Sequence, residues 1–260
     1  MYYEIHGKGE PLVFINGAGG NTTLCERYIP VYSQEYRLIF FDNRGAGQTD
    51  APDIPYSMEM MADDLAGLLD TIGIKSASVH GVSFGGRIAQ HFALRHPKNI
   101  ISLILGSTTC GGPNSILTDA ATRNEMMSLR GLPVEKGTRE WLRFFLSRDF
   151  IEKNPDLVEK IIARMLAYPP PPHGQMRQSQ AGMKHDTYER LPEIKTPTLV
   201  IHGDADRISP VENGRILASR IPNAELAILK NAGHLFMYEA EDESNRIILD
   251  FLQRHRSKKA

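Results

Sequence analysis

The 260-residue sequence predicts an α/β fold, a mostly parallel sheet flanked by helices with one helical insertion between two core strands. Three observations lead there. Short, continuous apolar runs alternate with segments of helical period, as they do where strands are buried on both faces. Each run stops at Gly, Asn or Asp, residues that suit tight turns. One stretch, 113–191, breaks the alternation and offers helical patterns only.

In chain order the strand runs are 12–15, 38–41, 76–80, 100–105, 199–201 and 226–229. The opening Tyr2-Tyr3-Glu4-Ile5 also alternates like a strand. Helical segments are expected at 58–72, 84–96, 210–221 and 243–252. In the first of these Met61, Leu65, Leu68, Leu69 and Ile72 share one face; in the second Ile88, Ala89, Phe92 and Ala93 do. Within the insertion, helices are expected at 117–129, 138–146, 157–167 and 174–188, with Pro169 to Pro172 as a stiff extended connector. The expected organisation is a core of residues 1–112 and 192–260 with a helical cap of residues 113–191.

Composition narrows the function classes. Hydrophobic residues make up 41% of the chain, enough for a sizeable core. Lys and Arg number 30 against 31 Asp and Glu, so charge gives no reason to expect nucleic acid or an anionic membrane as partner. The basic tail from Arg254 to Lys259 reads as a solvated, frayed end. Two cysteines, Cys25 and Cys110, form neither a disulfide framework nor a zinc pattern and read as free thiols. The N-terminus lacks a charged region followed by an apolar one, and no run is long enough to span a bilayer. The expectation is a cytoplasmic protein with no cofactor and no metal, acting on a small molecule. Oligomeric state is not legible.

The most informative segment is Gly81-Val82-Ser83-Phe84-Gly85-Gly86, a Gly-x-Ser-x-Gly between a strand pattern and a helix pattern. A serine in so sharp a turn has a strained backbone and projects its hydroxyl above the sheet edge. The flanking positions need glycine because a Cβ would strike a neighbouring element. The pentapeptide alone arises by chance in about one chain in ten of this length, so its partners must decide. A serine hydroxyl needs a base to take its proton. His234, in Asn231-Ala232-Gly233-His234, follows the last strand run and precedes the last helix. A carboxylate should hold the imidazole. Asp204 and Asp206 both compete for that role in His202-Gly203-Asp204-Ala205-Asp206, which follows the run 199–201. The order Ser, Asp, His is the order α/β triads take.

On these segments the chain resembles the α/β-hydrolase fold over nearly its whole length. Asn16-Gly17-Ala18-Gly19-Gly20 and Asp42-Asn43-Arg44-Gly45-Ala46-Gly47 match as well. The likeness is nearest to small capped esterases and lactonases; Leu105-Gly106-Ser107-Thr108-Thr109 followed by Gly111-Gly112-Pro113 also occurs in members like 3-oxoadipate enol-lactonase. The resemblance implies that Asp206 is the acid, and that the backbone N–H groups of Ala18 and Phe84 form an oxyanion hole. Asn16 stands where the family usually has His, and the expected role of that position is to brace the loop. Asp42 and Arg44 are expected to brace backbone beside the oxyanion turn. Similar proteins carry an extra edge strand before the Tyr2–Ile5 pattern; either this sheet lacks it or the sequence is trimmed at its start.

Substrate choice should lie in the cap, which roofs the serine. Trp141, Phe144, Phe145, Met126, Met127, Met165 and Met183 offer an apolar lining, or pack the cap helices on each other. Gly17, Trp141, Phe145 and Leu235 are the candidate substrate contacts. Arg139, Arg143 and Arg177 could each meet an anionic group. His185 and Asp186 are expected to fix the cap hinge. The expected function is a serine hydrolase of carboxylic esters or lactones with Ser83, His234 and Asp206 as its triad. C–C bond hydrolysis, perhydrolysis and a non-catalytic small-molecule receptor are the alternatives. Ser rather than Asp at position 83 argues against a haloalkane dehalogenase or epoxide hydrolase.

Overall fold

The computed structural model describes residues 1–129 and 131–256. Seven strands form one sheet: β1 (Tyr3–His6), β2 (Glu10–Ile15), β3 (Tyr36–Phe41), β4 (Ala77–Val82), β5 (Ile100–Gly106), β6 (Thr198–Gly203) and β7 (Glu225–Leu229). Their spatial order is β1-β3-β2-β4-β5-β6-β7. Only β1 runs antiparallel to its neighbour. No strand among the described residues precedes β1, which forms the edge.

The apolar runs are explained by two-sided burial. On β2, Val13 and Ile15 join one core cluster while Leu12 and Phe14 join the other. Ile39 and Phe41 separate from Leu38 and Phe40 on β3 in the same way. The first face is covered by α2 (Met58–Thr71), α3 (Phe84–Arg95) and α9 (Glu212–Arg220). The second is covered by a 3₁₀ segment at Thr22–Tyr28, by α1 (Ile29–Tyr32), and by α10 (Phe236–Glu239) and α11 (Glu241–Arg254). The predicted stripes of α2 and α3 are buried except for Ile72, which is the C-cap of α2 and only partly buried, and Ser57 caps α2 by accepting the Met60 N–H at 3.1 Å.

Between β5 and β6 lie α4 (Ala120–Ser128), α5 (Val134–Phe145), α6 (Arg148–Lys153), α7 (Pro155–Ala167) and α8 (Pro172–Met183), then a 3₁₀ turn at Tyr188–Glu193. Helix α8 starts inside the proline run, because proline is tolerated in the first turn, where its missing N–H is not needed. It ends at Met183, short of the expected 188. Residues 22–32 and α6 were not expected to be helical. Both are too short for an apolar period, although each opens on a readable cap: Asn21 accepts the Thr23 N–H at 3.1 Å and Ser147 the Phe150 N–H at 3.2 Å. Of the basic tail, 257–259 lie outside the described residues. Arg254 instead ends α11 and pairs with Glu225 at 2.7 Å, and Arg256 pairs with Glu35. No helix among the described residues is long and apolar enough to cross a membrane.

Candidate active site

The carboxyl ends of β4, β6 and β7 each carry one member of the Ser83, Asp206, His234 set. Ser83 joins β4 to α3 with φ 55° and ψ −117°, a conformation that non-glycine residues rarely adopt. It is held there. Its N–H donates to Gly106 O at 2.8 Å, and its carbonyl accepts the Gly86 N–H at 3.0 Å and the Thr108 hydroxyl at 2.7 Å. The glycine requirement is steric. A Cβ on Gly81 would fall on the Gly85 carbonyl, one on Gly85 would fall on the Ile15 carbonyl, and one on Gly86 would lie 2.7 Å from Thr108 Cβ.

His234 and Asp206 are both buried. His234 Nδ1 lies 2.8 Å from Asp206 Oδ2. Asp206 Oδ1 accepts the N–H groups of Ile208 and Ser209, each at 2.9 Å. A second imidazole, His202, places Nε2 3.2 Å from Asp206 Oδ2 and 2.7 Å from Ser209 O. Burial alone raises the Asp206 carboxyl, but His234 beside it and hydrogen bonds from both imidazoles outweigh that and hold it well below the usual carboxylate range. No group of three or more His, Cys, Asp or Glu side chains among the described residues is arranged to hold a metal ion.

Gly106 on β5 has neighbours of both Ser83 and His234 beside it: a Cβ there would lie 3.1 Å from the Phe236 ring and 3.3 Å from Val82 Cγ2. Thr108 bonds Ser83 and also accepts the Ser209 hydroxyl at 3.4 Å. His234 Nε2 is buried without a hydrogen-bond partner, so no Ser83–His234 hydrogen bond is formed among the described residues. Such bonds are often loose without substrate and tighten when it binds.

The loop after β2 borders the serine. A Cβ on Gly17 would lie 3.6 Å from Ser83 Cβ and 4.0 Å from Ser83 Oγ. Gly20 N–H closes a turn onto Gly17 O at 3.1 Å, with Gly19 at φ +69°. Among the described residues, neither the Ala18 nor the Phe84 N–H donates a turn or cap hydrogen bond. Asn16 braces the loop by donating to Asn21 O at 3.0 Å and accepting from Cys25 Sγ at 3.3 Å. Asp42 accepts the N–H groups of Thr22 and Gln48, each at 2.7 Å. Arg44 forms a salt bridge, its guanidinium pairing with Asp64 on α2 at 2.5 Å.

From the insertion, the Phe145 ring meets the His234 ring edge-on at 5.2 Å, and Phe145 O accepts the Leu235 N–H at 3.0 Å. Trp141 packs against Phe144 and Phe145, with ring centres 6.4 and 6.3 Å away. Met127 and Met183 are 57% and 76% exposed, so neither is packed into the interior of the insertion. Arg139, Arg143 and Arg177 are paired with Glu159, Glu140 and Asp53 at the surface. His185 is buried and within 3.1 Å of Thr109 O, and Asp186 bridges to Gly111.

Three supporting residues have no signature in the sequence. Glu239 Oε1 accepts the Gly233 N–H at 2.9 Å and its Oε2 the Ser147 N–H at 3.1 Å, tying the His234 loop to the insertion. Burial pushes the Glu239 carboxyl above its usual range against those bonds. In the sequence His202 reads as part of the His202–Asp206 turn, with metal binding as a remote alternative. Gln178 was one polar position in a helix; the small residues Gly174, Ala181 and Gly182 around it were the available hint of close approach.

A family model of the alpha/beta hydrolase fold matches residues 10–241. A Stutzerimonas stutzeri protein named "Putative carbamate hydrolase RutD" is 32% identical, over 97% of this chain and 96% of its own. A 2-hydroxy-6-oxononadienedioate/2-hydroxy-6-oxononatrienedioate hydrolase of Burkholderia vietnamiensis is 31% identical, over 98% and 91%. The crystal structure of the enol-lactonase from Burkholderia xenovorans superposes with a TM-score of 0.86 at 26% identity, over 97% of this chain and 96% of that one. With its sheet order, its strained serine turn and these likenesses along its length, the chain belongs to the α/β-hydrolase fold family.

Proposed function

We propose that the protein is a serine hydrolase that cleaves a small carboxylic ester or lactone through an acyl-enzyme. Ser83 Oγ attacks the carbonyl carbon while His234 Nε2 takes its proton. Asp206 fixes the ring through Nδ1 and stabilises the imidazolium. The carbonyl oxygen, now negative, is met by the N–H groups of Ala18 and Phe84. Collapse expels the alcohol, which takes the proton from His234; in a lactone that alcohol stays tethered to the acyl group. A water deprotonated by His234 then attacks the acyl carbon, and Ser83 leaves with the proton.

One observation carries this reading. The imidazole of His234 has one nitrogen on a buried carboxylate, 2.8 Å away, and the other buried and unpartnered, while Phe236, two residues on, lies with Val82 beside Gly106. Helices α4–α8 act as the cap, with Gly17, Trp141, Phe145 and Leu235 nearest the acyl group. The partner is a small molecule, and the two buried free thiols support a cytoplasmic setting. C–C bond hydrolysis is the second reading, favoured by the 31% identity to the Burkholderia vietnamiensis hydrolase.

A fluorophosphonate probe tests the nucleophile: mass spectrometry should find the adduct on Ser83, and labelling elsewhere or nowhere overturns the mechanism. A panel of p-nitrophenyl esters, lactones, carbamates and ring-cleavage diketones then separates the substrate classes by kcat/KM.

A further inference from the structure

We propose that Gln178, a residue of the insertion, is a positioning residue that sets the oxyanion loop; this rests on the serine-hydrolase reading above. Its side chain is 1% exposed. Oε1 accepts the Gly19 N–H at 2.8 Å, and Nε2 donates to Arg44 O at 2.8 Å. One amide therefore spans two core loops from a helix outside the sheet.

The Gly19 N–H belongs to the central peptide of the Gly17–Gly20 turn. That turn has the i to i+3 hydrogen bond and the positive φ at its third position that mark type II, and it differs from type I chiefly in which way the central peptide faces. By accepting the Gly19 N–H, Gln178 selects one facing. The Gly17 carbonyl is tied back to Gly20, so the Ala18 N–H on the same peptide plane points the opposite way. Gln178 therefore acts by anchoring the turn: the closed Gly17–Gly20 turn sets the direction of the Ala18 N–H, and the bond to the Gly19 N–H holds that turn in place.

The same helical stripe reaches the side chain of Phe84, the residue that carries the other donor. Gly174, Gln178, Ala181 and Gly182 are the buried residues of α8. A Cβ on Gly174 would lie 2.9 Å from Gly45 Cα, and one on Gly182 would lie 3.4 Å from the Phe84 ring. The backbone of α8 thereby comes close to both loops, and its Gly182 end rests on the residue that follows Ser83. Any shift of α8 is felt first where the transition-state charge develops, so the insertion governs rate as well as substrate choice.

The test uses the full-length enzyme, p-nitrophenyl butyrate and an alkylboronic acid, whose tetrahedral adduct on Ser83 puts an oxygen in the hole. Gln178→Met keeps the volume and removes both hydrogen bonds. It should lower kcat about 10- to 100-fold with KM changed less than about twofold, and weaken the boronic acid by a similar factor. Gln178→Glu retains an acceptor for the Gly19 N–H and should recover most of the loss. Gln178→Ser gives the same reading as Q178M should the latter not fold. The inference is overturned if Q178M keeps kcat within about threefold, if its loss lies in KM alone, or if Q178E and Q178M lose equally while boronic-acid affinity holds. Failure of the underlying reading looks different: wild-type protein escapes the fluorophosphonate, or Ser83→Ala still turns over, whatever stands at 178.

Discussion

Asp204 and Asp206 sit two positions apart on one turn and grip the same loop at two points. Asp206 Oδ2 faces His234 Nδ1 at 2.8 Å, whereas Asp204 Oδ1 accepts the Asn231 N–H at 2.6 Å, where the chain takes φ 57°. One carboxylate meets the imidazole and the other shapes the backbone that carries it. Asp206→Asn should therefore lower kcat about 10³- to 10⁴-fold, and Ser83→Ala and His234→Ala at least as far. Asp204→Asn keeps an oxygen for Asn231 and should lose less than about tenfold. Steady-state kinetics on variants with unchanged circular dichroism checks this; a larger loss at 204 than at 206 would exchange the roles.

Backbone strain at Ser83 makes a separate prediction. Its φ of 55° with ψ −117° is open to glycine and costly for any residue with a Cβ. Strain of this kind is worth about 1–3 kcal/mol, offset in part by the extra freedom glycine has when unfolded. Ser83→Gly should be more stable than Ser83→Ala by about 1 kcal/mol in urea unfolding. Equal stability of the two would mean that the strain at Ser83 is no larger than the unfolded-state freedom that glycine adds.

Glu239 couples the His234 loop to the insertion through two backbone N–H groups. Glu239→Ala strands both. Each unmatched donor costs about 1–3 kcal/mol, so a loss of up to about 2–6 kcal/mol is expected, reduced by whatever water reaches the site. Glu239→Gln still offers one acceptor and should lose about half of that. Chemical denaturation distinguishes the two; identical losses would show that the bridge contributes nothing beyond packing.

Two histidines make the fold acid-sensitive. Burial pushes His80 down to about 3, and burial with help from Arg87 and His91 pushes His185 down to about 3. Both fold as neutral rings while the unfolded chain takes up protons below about pH 6.5. The unfolded state then binds more protons, so stability falls as pH drops from about 6.5 towards 3. By pH 5 each ring should account for about 2 kcal/mol. His80→Phe should lose about 2 kcal/mol less than wild type between pH 7 and pH 5. Urea midpoints at the two pH values check it, and a difference no smaller than wild type's refutes it.

Much of this architecture was legible before any coordinates, for reasons local to the chain. Apolar alternation on β2 and β3 requires two covered faces, and Gly81, Gly85 and Gly86 fit a turn where a Cβ would collide. Short helices such as 29–32 and 148–153 escaped because one or two turns have no period to read.

Sequence by itself determined the strand and helix alternation, the serine turn, and three chemically apt side chains in Ser, Asp, His order, because sterics and periodicity act over a few residues. Tertiary structure alone decided which aspartate meets the imidazole by contact, that His202 shares it, and that Gln178 and Glu239 steady the loops. Gly19 and Gln178 are 159 positions apart. A hydrogen bond across such a distance depends on how whole elements pack, and no spacing along the chain records it.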